Sequence, residues 1–289
     1  MSFENYLQKA WSEHASDAEQ VSRGFGEGLS MLSTMQQIAP MAGLVTHVMG
    51  EHLAKWEEGV QWLSKLQEHD QMQVGSEADQ AVRRSQAALS LGGGLSDTVD
   101  QFHSSDQVRI LAVTASALAA RDSGRAELYF RRALKLVETA LGEKDPGVKA
   151  LAVTGHNLAC ALEEKSTLSK SERGLMILAA ETSRKLWAKV GTWLEVSRAE
   201  YRLAMTFLRA GETLIALQHA KLCRVLCVEN KAGPLDLFFA FEAVALAERA
   251  NGQSFEFREA LNLAEIHFAM LAADDKAWCA SSLEKMRQP

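Results

Sequence analysis

The chain has 289 residues, of which 47% are hydrophobic and only four are proline. This composition suffices for a substantial buried core and favours helices, arranged as one extended domain or two merged ones. The net charge is −6 and it is uneven, because residues 1–105 hold 14 acidic and 6 basic side chains, a balance of −8, leaving +2 for the remainder. Nucleic acid is not an expected partner, since its binding favours a clearly basic surface.

Membrane insertion and secretion are not expected either. The most apolar run, 112–120, is interrupted by Thr114 and Ser116 and is too short to span a bilayer. The first residues have neither the basic nor the apolar region of a secretory signal. The four cysteines are few for this length and lie in apolar helical patterns, so we predict that they are reduced. We therefore expect a soluble cytoplasmic protein with no cofactor and no membrane partner.

The first 50 residues predict helices without a clean repeat motif. A short helix is predicted over 3–14, and a second over 16–38, weakened or broken by the glycines within 24–28. Those glycines do not form a nucleotide-binding loop, because no strand precedes them and their spacing is not that of the dinucleotide fingerprint. A third helix is predicted over 40–49, with Gly50 separating it from the next.

The helix after Gly50 is strongly amphipathic. A capping box at 76–79 predicts the start of another helix, which ends at the glycines 92–94. These glycines predict a turn and not a phosphate loop, since no Lys-Ser or Lys-Thr follows them. The spacing of the apolar residues after Gly50 predicts core packing rather than an exposed partner-binding face. They are Leu53, Trp56, Val60 and Leu63, with Trp62 and Leu66 widening the stripe.

From residue 105 onward one helical stripe recurs four times, with intervals of four and then three residues. Its small side chains let two antiparallel helices approach closely, and the second apolar face of such a pair can be covered only by another pair. Stacked helix pairs are therefore predicted at 107–121/125–140, 150–164/173–189, 195–210/213–229 and 236–251/255–271. The four stripes are Ala126, Phe130 and Ala133; Met176, Ala180 and Ser183; Ala216, Ala220 and Cys223; and Phe257, Leu261 and Ala264.

These features resemble the tetratricopeptide repeat family. Leu158-Ala159 and Leu203-Ala204 match the Leu-small pair of its first helix, and the stripes match the small and aromatic series of its second helix. The spacing is longer than the usual period of about 34 residues and resembles the kinesin-light-chain type, as does Gly-His-Asn-Leu-Ala at 155–159. The resemblance covers about residues 105–271. It implies an all-α fold in which antiparallel helix pairs stack into a right-handed superhelix.

Three segments follow from the resemblance. We predict an N-terminal helical region at 1–104 that packs on the repeats, and a tetratricopeptide-like region at 105–272. The remainder, 273–289, is predicted to be a C-terminal capping helix and tail.

Two groups of reactive side chains could support chemistry or could belong to ordinary packing. His219, Cys223 and Cys227 share a helix edge, but a fourth ligand is not indicated, so we predict core thiols and no metal site. His156 and Cys160 are one helical turn apart. Such a pair rarely reaches catalytic geometry, and no oxyanion-stabilising loop lies nearby in the sequence, so no catalytic residue is predicted.

The resemblance also implies that the first helices of the pairs line a ligand groove. Charged and amide side chains among apolar ones suit an extended peptide with acidic residues, because they meet its backbone and its carboxylates. The Lys and Asn pattern of the family's carboxylate clamp is not reproduced, so a chaperone C-terminal tail is not implied. The predicted groove residues are His156, Asn157, Arg198, Tyr201, Arg202, Met205, Arg209, Glu242 and Arg249.

The functional expectation is a protein- or peptide-binding scaffold or adaptor, and not an enzyme. The alternative is a regulatory protein whose superhelix changes curvature when it binds a peptide or small ligand. A regulator requires an effector module, and the acidic first hundred residues contain no recognisable DNA-reading motif. The sequence specifies neither the identity of the partner nor the oligomeric state.

Overall fold

A computed structural model of the protein describes residues 1–288. Helices account for 79% of the chain, and no strand occurs within that range. Within each compact part of the chain, successive helices pack against their neighbours. The α-helices are α1 Phe3–Glu13, α2 Ala18–Arg23, α3 Phe25–Ser30, α4 Ile38–Thr46, α5 Trp56–Gln67, α6 Glu77–Gly92, α7 Ser104–Leu118, α8 Ser123–Ala140, α9 Pro146–Glu163, α10 Lys170–Val190, α11 Trp193–Ala210, α12 Thr213–Glu229, α13 Pro234–Ala250, α14 Ser254–Ala269 and α15 Ala273–Arg287.

The all-α prediction is therefore confirmed, and the four predicted helix pairs are present as α7/α8, α9/α10, α11/α12 and α13/α14. Each predicted end lies within four residues of the observed one. Local chemistry explains several of these ends. Ser169 and Thr192 begin α10 and α11 with capping boxes, and Gly211 ends α11 at a φ of 83°, a left-handed conformation that glycine adopts without steric cost.

The chain divides into two compact units, residues 1–150 and residues 151–289. We call them unit 1 and unit 2. The division falls inside α9. The segment boundaries proposed from the sequence, at 104 and 272, stay predictions. Among residues 1–288, no helix combines the length and apolar character that crossing a membrane would require.

The glycines at 24–28 break the predicted second helix of unit 1. Instead of one helix that runs to residue 38, α2 ends at Arg23 and α3 begins at Phe25. The Tyr6 hydroxyl donates a hydrogen bond to the carbonyl oxygen of Gly24 at 3.1 Å. A Cβ on Gly28 would lie 2.5 Å from the Tyr6 ring. Glycine is therefore required here for the close approach of α1 to α3.

Gly50 does not separate two helices, so that prediction was wrong. The predicted helix begins earlier, at Ile38, and continues into a π-helical turn, His47–His52, which contains Gly50. A Cβ on Gly50 would lie 2.8 Å from Leu89 Cδ2 and 3.3 Å from Ala117 Cβ. Tight packing against α6 and α7, and not a turn, is the reason for glycine at this position.

The helix that contains Trp56 and Trp62 packs on the core of unit 1, as predicted. Leu63 and Leu66 on the same helix are fully buried. The Trp62 ring meets the Phe25 ring edge to face, with centroids 5.7 Å apart. This stripe is therefore a packing surface of unit 1.

Small buried side chains fill the contacts between the helices of unit 2. Ala204, Ala220, Ala243 and Ala264 are fully buried within one hydrophobic cluster together with Phe238. Such side chains let neighbouring helices approach closely, as the recurring stripes predicted. The helices of unit 2 are consequently held near enough for polar side chains to bridge them.

Candidate functional site

The first helices of the pairs in unit 2, and α15 after them, are linked by side chains across each interface. Glu163 of α9 contacts α11, and Glu242 of α13 contacts α11 and α15. These links place the predicted groove residues of α9, α11 and α13 on helices that touch in sequence order. We call the side of these helices that carries them the candidate face.

Glu163 is the carboxylate that joins α9 to α11. It accepts hydrogen bonds from the guanidinium of Arg202 and from the hydroxyl of Thr206. Both members of the ion pair are largely removed from water, since the side chains of Glu163 and Arg202 are 13% and 17% exposed. Burial raises the pKa of Glu163, although the positive charge of Arg202 opposes that shift. Arg202 is thus part of the internal structure of unit 2 as well as a member of the candidate face.

Glu242 makes the corresponding link between α11, α13 and α15. The Tyr201 hydroxyl donates a hydrogen bond to Glu242 Oε2 at 3.0 Å, and Ser282 of α15 also bonds to this carboxylate. Glu242 is only 3% exposed, and its burial raises its pKa. Burial raises the pKa of Tyr201 well above its usual value, and the charge of Glu242 adds to the shift. The phenol therefore stays protonated and keeps donating to the carboxylate.

A row of three aromatic rings crosses the same helices. Tyr201 of α11 meets Phe239 of α13 edge to face at a centroid distance of 5.5 Å, and Phe239 meets Trp278 of α15 in the same way at 5.2 Å. Trp278 is 66% exposed. The row thus begins on a hydrogen-bonded phenol inside unit 2 and ends on an indole in solvent.

Arg198 and His156 provide the polar groups beside this row. The Arg198 side chain is 57% exposed and donates from Nε to Asp236 Oδ1 at 3.1 Å. Burial, together with the positive charges of Arg202 and Arg198, lowers the pKa of His156 to about 4. His156 is consequently a neutral hydrogen-bonding group near pH 7, beside two guanidinium groups. Asn157 is exposed and Met205 is half-buried.

Two predicted groove residues, Arg209 and Arg249, bind backbone instead of pointing freely into solvent. Arg209 donates to the carbonyl oxygens of 163, 165 and 166, at the end of α9. Arg249 donates to the carbonyl oxygens of 285, 286 and 288, at the end of α15. A cation at a helix C-terminus is favourable because the last carbonyl groups lack partners within the helix. Both guanidinium groups therefore cap neighbouring helices.

The His156 and Cys160 pair is poorly suited to nucleophilic chemistry. Burial raises the pKa of the Cys160 thiol to about 11, while that of His156 is about 4. The thiol stays protonated near pH 7, and the imidazole is a weak base. A thiolate is the reactive form of cysteine, so this pair is better explained by packing.

His219, Cys223 and Cys227 are also engaged in packing. The two cysteines are buried together in one cluster. His219 Nδ1 lies 2.6 Å from the carboxylate of Glu200, which is itself only 2% exposed and bonded to Arg184. This arrangement agrees with the interpretation of the two cysteines as core thiols.

Sequence reasoning missed the exposed apolar side chains of unit 2. Trp278 lies beyond the four recurring stripes, so no pattern marked it. The helices α12 and α14, which are the second helices of their pairs, also expose large apolar residues. The only sequence signal for this was that these helices lack a strongly polar side. The exposed apolar residues are Leu214, Ile215, Leu222, Val225 and Val228 on α12, Phe255, Leu263 and Ile266 on α14, and Met270 directly after α14.

The sequence matches none of the protein-family models against which it was searched, and no curated protein matches it either. The functional inference therefore rests on the geometry of unit 2.

Proposed function

We propose that the protein is a protein- or peptide-binding scaffold in the cytoplasm, with its partner lying across the candidate face of unit 2. We further propose that the helix pairs are tetratricopeptide-like repeats of the kinesin-light-chain type. Antiparallel pairs with alanine at their closest contacts, such as Ala204 and Ala220, support this assignment. A partner that is a nucleic acid or a membrane is not part of the proposal.

The observation that carries the proposal is the aromatic row that ends at the exposed Trp278. An exposed indole offers a large, rigid apolar area that costs little conformational entropy to bind. Arg198 and Asp236 lie one helical turn before Tyr201 and Phe239 on α11 and α13. The face thus combines an apolar contact area with a charged pair beside it, which suits a peptide that has an apolar residue near an acidic one.

The Arg198 pair is suited to exchange partners. Because Arg198 is more than half exposed, its attraction to Asp236 is screened and contributes about 0–1 kcal/mol. A carboxylate of the partner can replace Asp236 at little cost, whereas the buried Arg202 is held by Glu163. Among the predicted arginines, Arg198 is therefore the one that we expect to contact an acidic partner directly.

A peptide-display selection against the purified chain tests the proposal, followed by titration of the selected peptides in fluorescence polarisation. Trp278→Ala is expected to weaken binding by at least about 10-fold, since a buried interface tryptophan commonly contributes 2 kcal/mol or more. Arg198→Glu is expected to weaken binding of acidic peptides, with a larger effect at low salt. The charge-matched control is Arg258→Glu, an exposed arginine of α14.

The variants must keep the helical circular dichroism and melting temperature of the parent for these comparisons to count. Equal affinity of the parent, Trp278→Ala and Arg198→Glu for every selected peptide would contradict the proposed face. The same holds if Arg258→Glu loses as much affinity as Arg198→Glu. A selection that enriches no related peptide sequences would contradict the scaffold proposal itself.

A further inference from the structure

We propose that three histidines of unit 1, His14, His47 and His52, bind one divalent transition-metal ion such as Zn²⁺. Their ring centroids lie 4.8–5.0 Å from one another. One ring nitrogen from each histidine lies within 4.8 Å of a ring nitrogen of both others. This inference departs from the sequence expectation that the chain has no metal site. We call the three residues the histidine cluster.

The closest contact within the histidine cluster fits the geometry of a tetrahedral ion. A zinc–nitrogen bond is about 2.0–2.1 Å long, so two nitrogen ligands of one tetrahedral ion lie about 3.3 Å apart. The Nε2 atoms of His47 and His52 are already 3.1 Å apart. A nitrogen of His14 lies within 4.8 Å of both other histidines and must move closer to them when an ion binds. All three rings are half-buried. An ion can therefore enter from solvent, and a fourth position stays open to water.

The other ring nitrogens are held in the way that orients metal-binding histidines. His14 Nδ1 lies 2.6 Å from the carbonyl oxygen of Trp11, and His47 Nδ1 lies 3.1 Å from a carboxylate oxygen of Glu51. An Nδ1–H that donates to such an acceptor leaves the lone pair on Nε2, which is then available as a ligand. Two members of the histidine cluster thus have a second partner of the expected kind.

The π-helical turn is what brings His47 and His52 together. They are five residues apart, and in a regular α-helix they would be about 140° apart around the axis, with their rings on different sides. The wider turn His47–His52 places both rings in contact. Arg121 holds the end of this turn by donating to the carbonyl oxygens of Glu51 and His52, both at 2.6 Å. Turns of this kind occur frequently at functional sites.

Packing alone explains less of this arrangement. A single N–H···N hydrogen bond accounts for the contact of His47 with His52, and Trp11 packs on the rings of His14 and His47 at 5.1 and 5.2 Å. These contacts do not account for the imidazole of His14, which lies beside the other two rings with its Nδ1 already engaged. Imidazole ligands favour zinc and its neighbours, whereas Mg²⁺ and Ca²⁺ prefer oxygen, so the proposed ligand is a transition metal.

Isothermal titration of the chelator-stripped full chain with Zn²⁺, in a buffer with a non-thiol reductant, tests the proposal. The parent is expected to bind one ion, and Mg²⁺ is expected to give no binding. Glu51→Gln is expected to raise the Kd about 10–100-fold, the usual effect of removing a partner of a ligating histidine. His14→Gln, His47→Gln and His52→Gln are each expected to raise it by at least that much. The control is His103→Gln, an exposed histidine outside the cluster.

A second measurement uses the unmodified protein, so that it does not depend on folding of the variants. Zn²⁺ is expected to protect the three histidines of the cluster, and not His103, from diethylpyrocarbonate, with the modified residues located by mass spectrometry. Absence of one-to-one binding by the parent, or an unchanged Kd for His52→Gln, would overturn the proposal. So would zinc that remains bound to His52→Gln and is lost when the Cys160 thiol is alkylated.

Discussion

Replacing Arg202 with methionine tests the buried ion pair that joins α9 to α11. The substitution leaves the Glu163 carboxylate in place, 13% exposed and without its cation. At an effective dielectric constant of about 20, opposite charges 4 Å apart attract by about 4 kcal/mol. Removing one partner of a buried pair commonly costs 3–5 kcal/mol. Because both groups retain some exposure, we expect a loss of about 2–4 kcal/mol in the free energy of unfolding at pH 7.

The measurement is urea and thermal denaturation followed by circular dichroism. For a protein of this size the loss corresponds to a decrease of about 3–7 °C in Tm. Glu163 already has a raised pKa, and loss of the cation raises it further. The folded variant therefore binds a proton that the unfolded chain releases, so the deficit of Arg202→Met should shrink as the pH falls from 7 to 5.

The single variant Glu163→Gln and the double variant Glu163→Gln/Arg202→Met complete a double-mutant cycle with Arg202→Met. The double variant removes both charges, so we expect its stability to lie within about 1 kcal/mol of the parent. Single variants that each differ from the parent by less than about 0.5 kcal/mol would refute this account, because that is the behaviour of a pair screened by solvent. A deficit that grows toward pH 5 would refute the raised pKa of Glu163.

Three further predictions concern packing and pH. Gly28→Ala should destabilise the protein by about 1–3 kcal/mol, because its Cβ would lie 2.5 Å from a buried tyrosine ring. Gly43→Ala, with open space around its Cβ, should stabilise the protein by about 0.5–1 kcal/mol. Chemical denaturation measures both changes. Ala204→Trp should lower Tm far more than Arg198→Ala, since Ala204 is fully buried and overpacking costs about 1–3 kcal/mol or more, and equal shifts would show that the repeat phase is wrong. As the pH falls from 6.5 to about 4, the free energy of unfolding of the parent should decrease by about 1–3 kcal/mol relative to His156→Gln. The reason is that the imidazole takes up a proton in the unfolded chain and not in the folded one. Parallel urea titrations with no such difference would contradict the lowered pKa of His156.

The helix pairs could be predicted from the sequence because the recurring stripes indicate both that a segment is helical and that it packs closely against another helix. Intervals of four and three residues give the period of an α-helix, and alanine at those positions gives the close approach of two helices. The π-helical turn could not be predicted in this way. It depends on contacts of Gly50 with Leu89 and Ala117 and on hydrogen bonds from Arg121, which lie 39 to 71 residues away along the chain.

The candidate face was predicted in part for the same reason. The repeat phase indicated the side of α11 that carries Arg198, Tyr201 and Arg202, and the structure places these residues beside α9 and α13. The phase contains no information on hydrogen-bond partners. Whether an arginine meets solvent, as Arg198 does, or a backbone carbonyl group, as Arg209 does, depends on loops and helix ends that the repeated stripes do not describe.

The buried carboxylates of unit 2 also determine which helix can sit beside which. Alanine-lined surfaces are alike along a helix, so a shift of one turn, about 5.4 Å, would cost such an interface little. The same shift of α11 against α13 would separate Tyr201 from Glu242 and remove the phenol donor from a buried carboxylate, at a cost of about 1–3 kcal/mol or more. A chimera that exchanges the sequences of α11 and α13 should therefore keep its helix content and lose cooperative unfolding. The order of the helices is thus specified by two acidic side chains, Glu163 and Glu242, more than by the apolar residues that form most of the contacts.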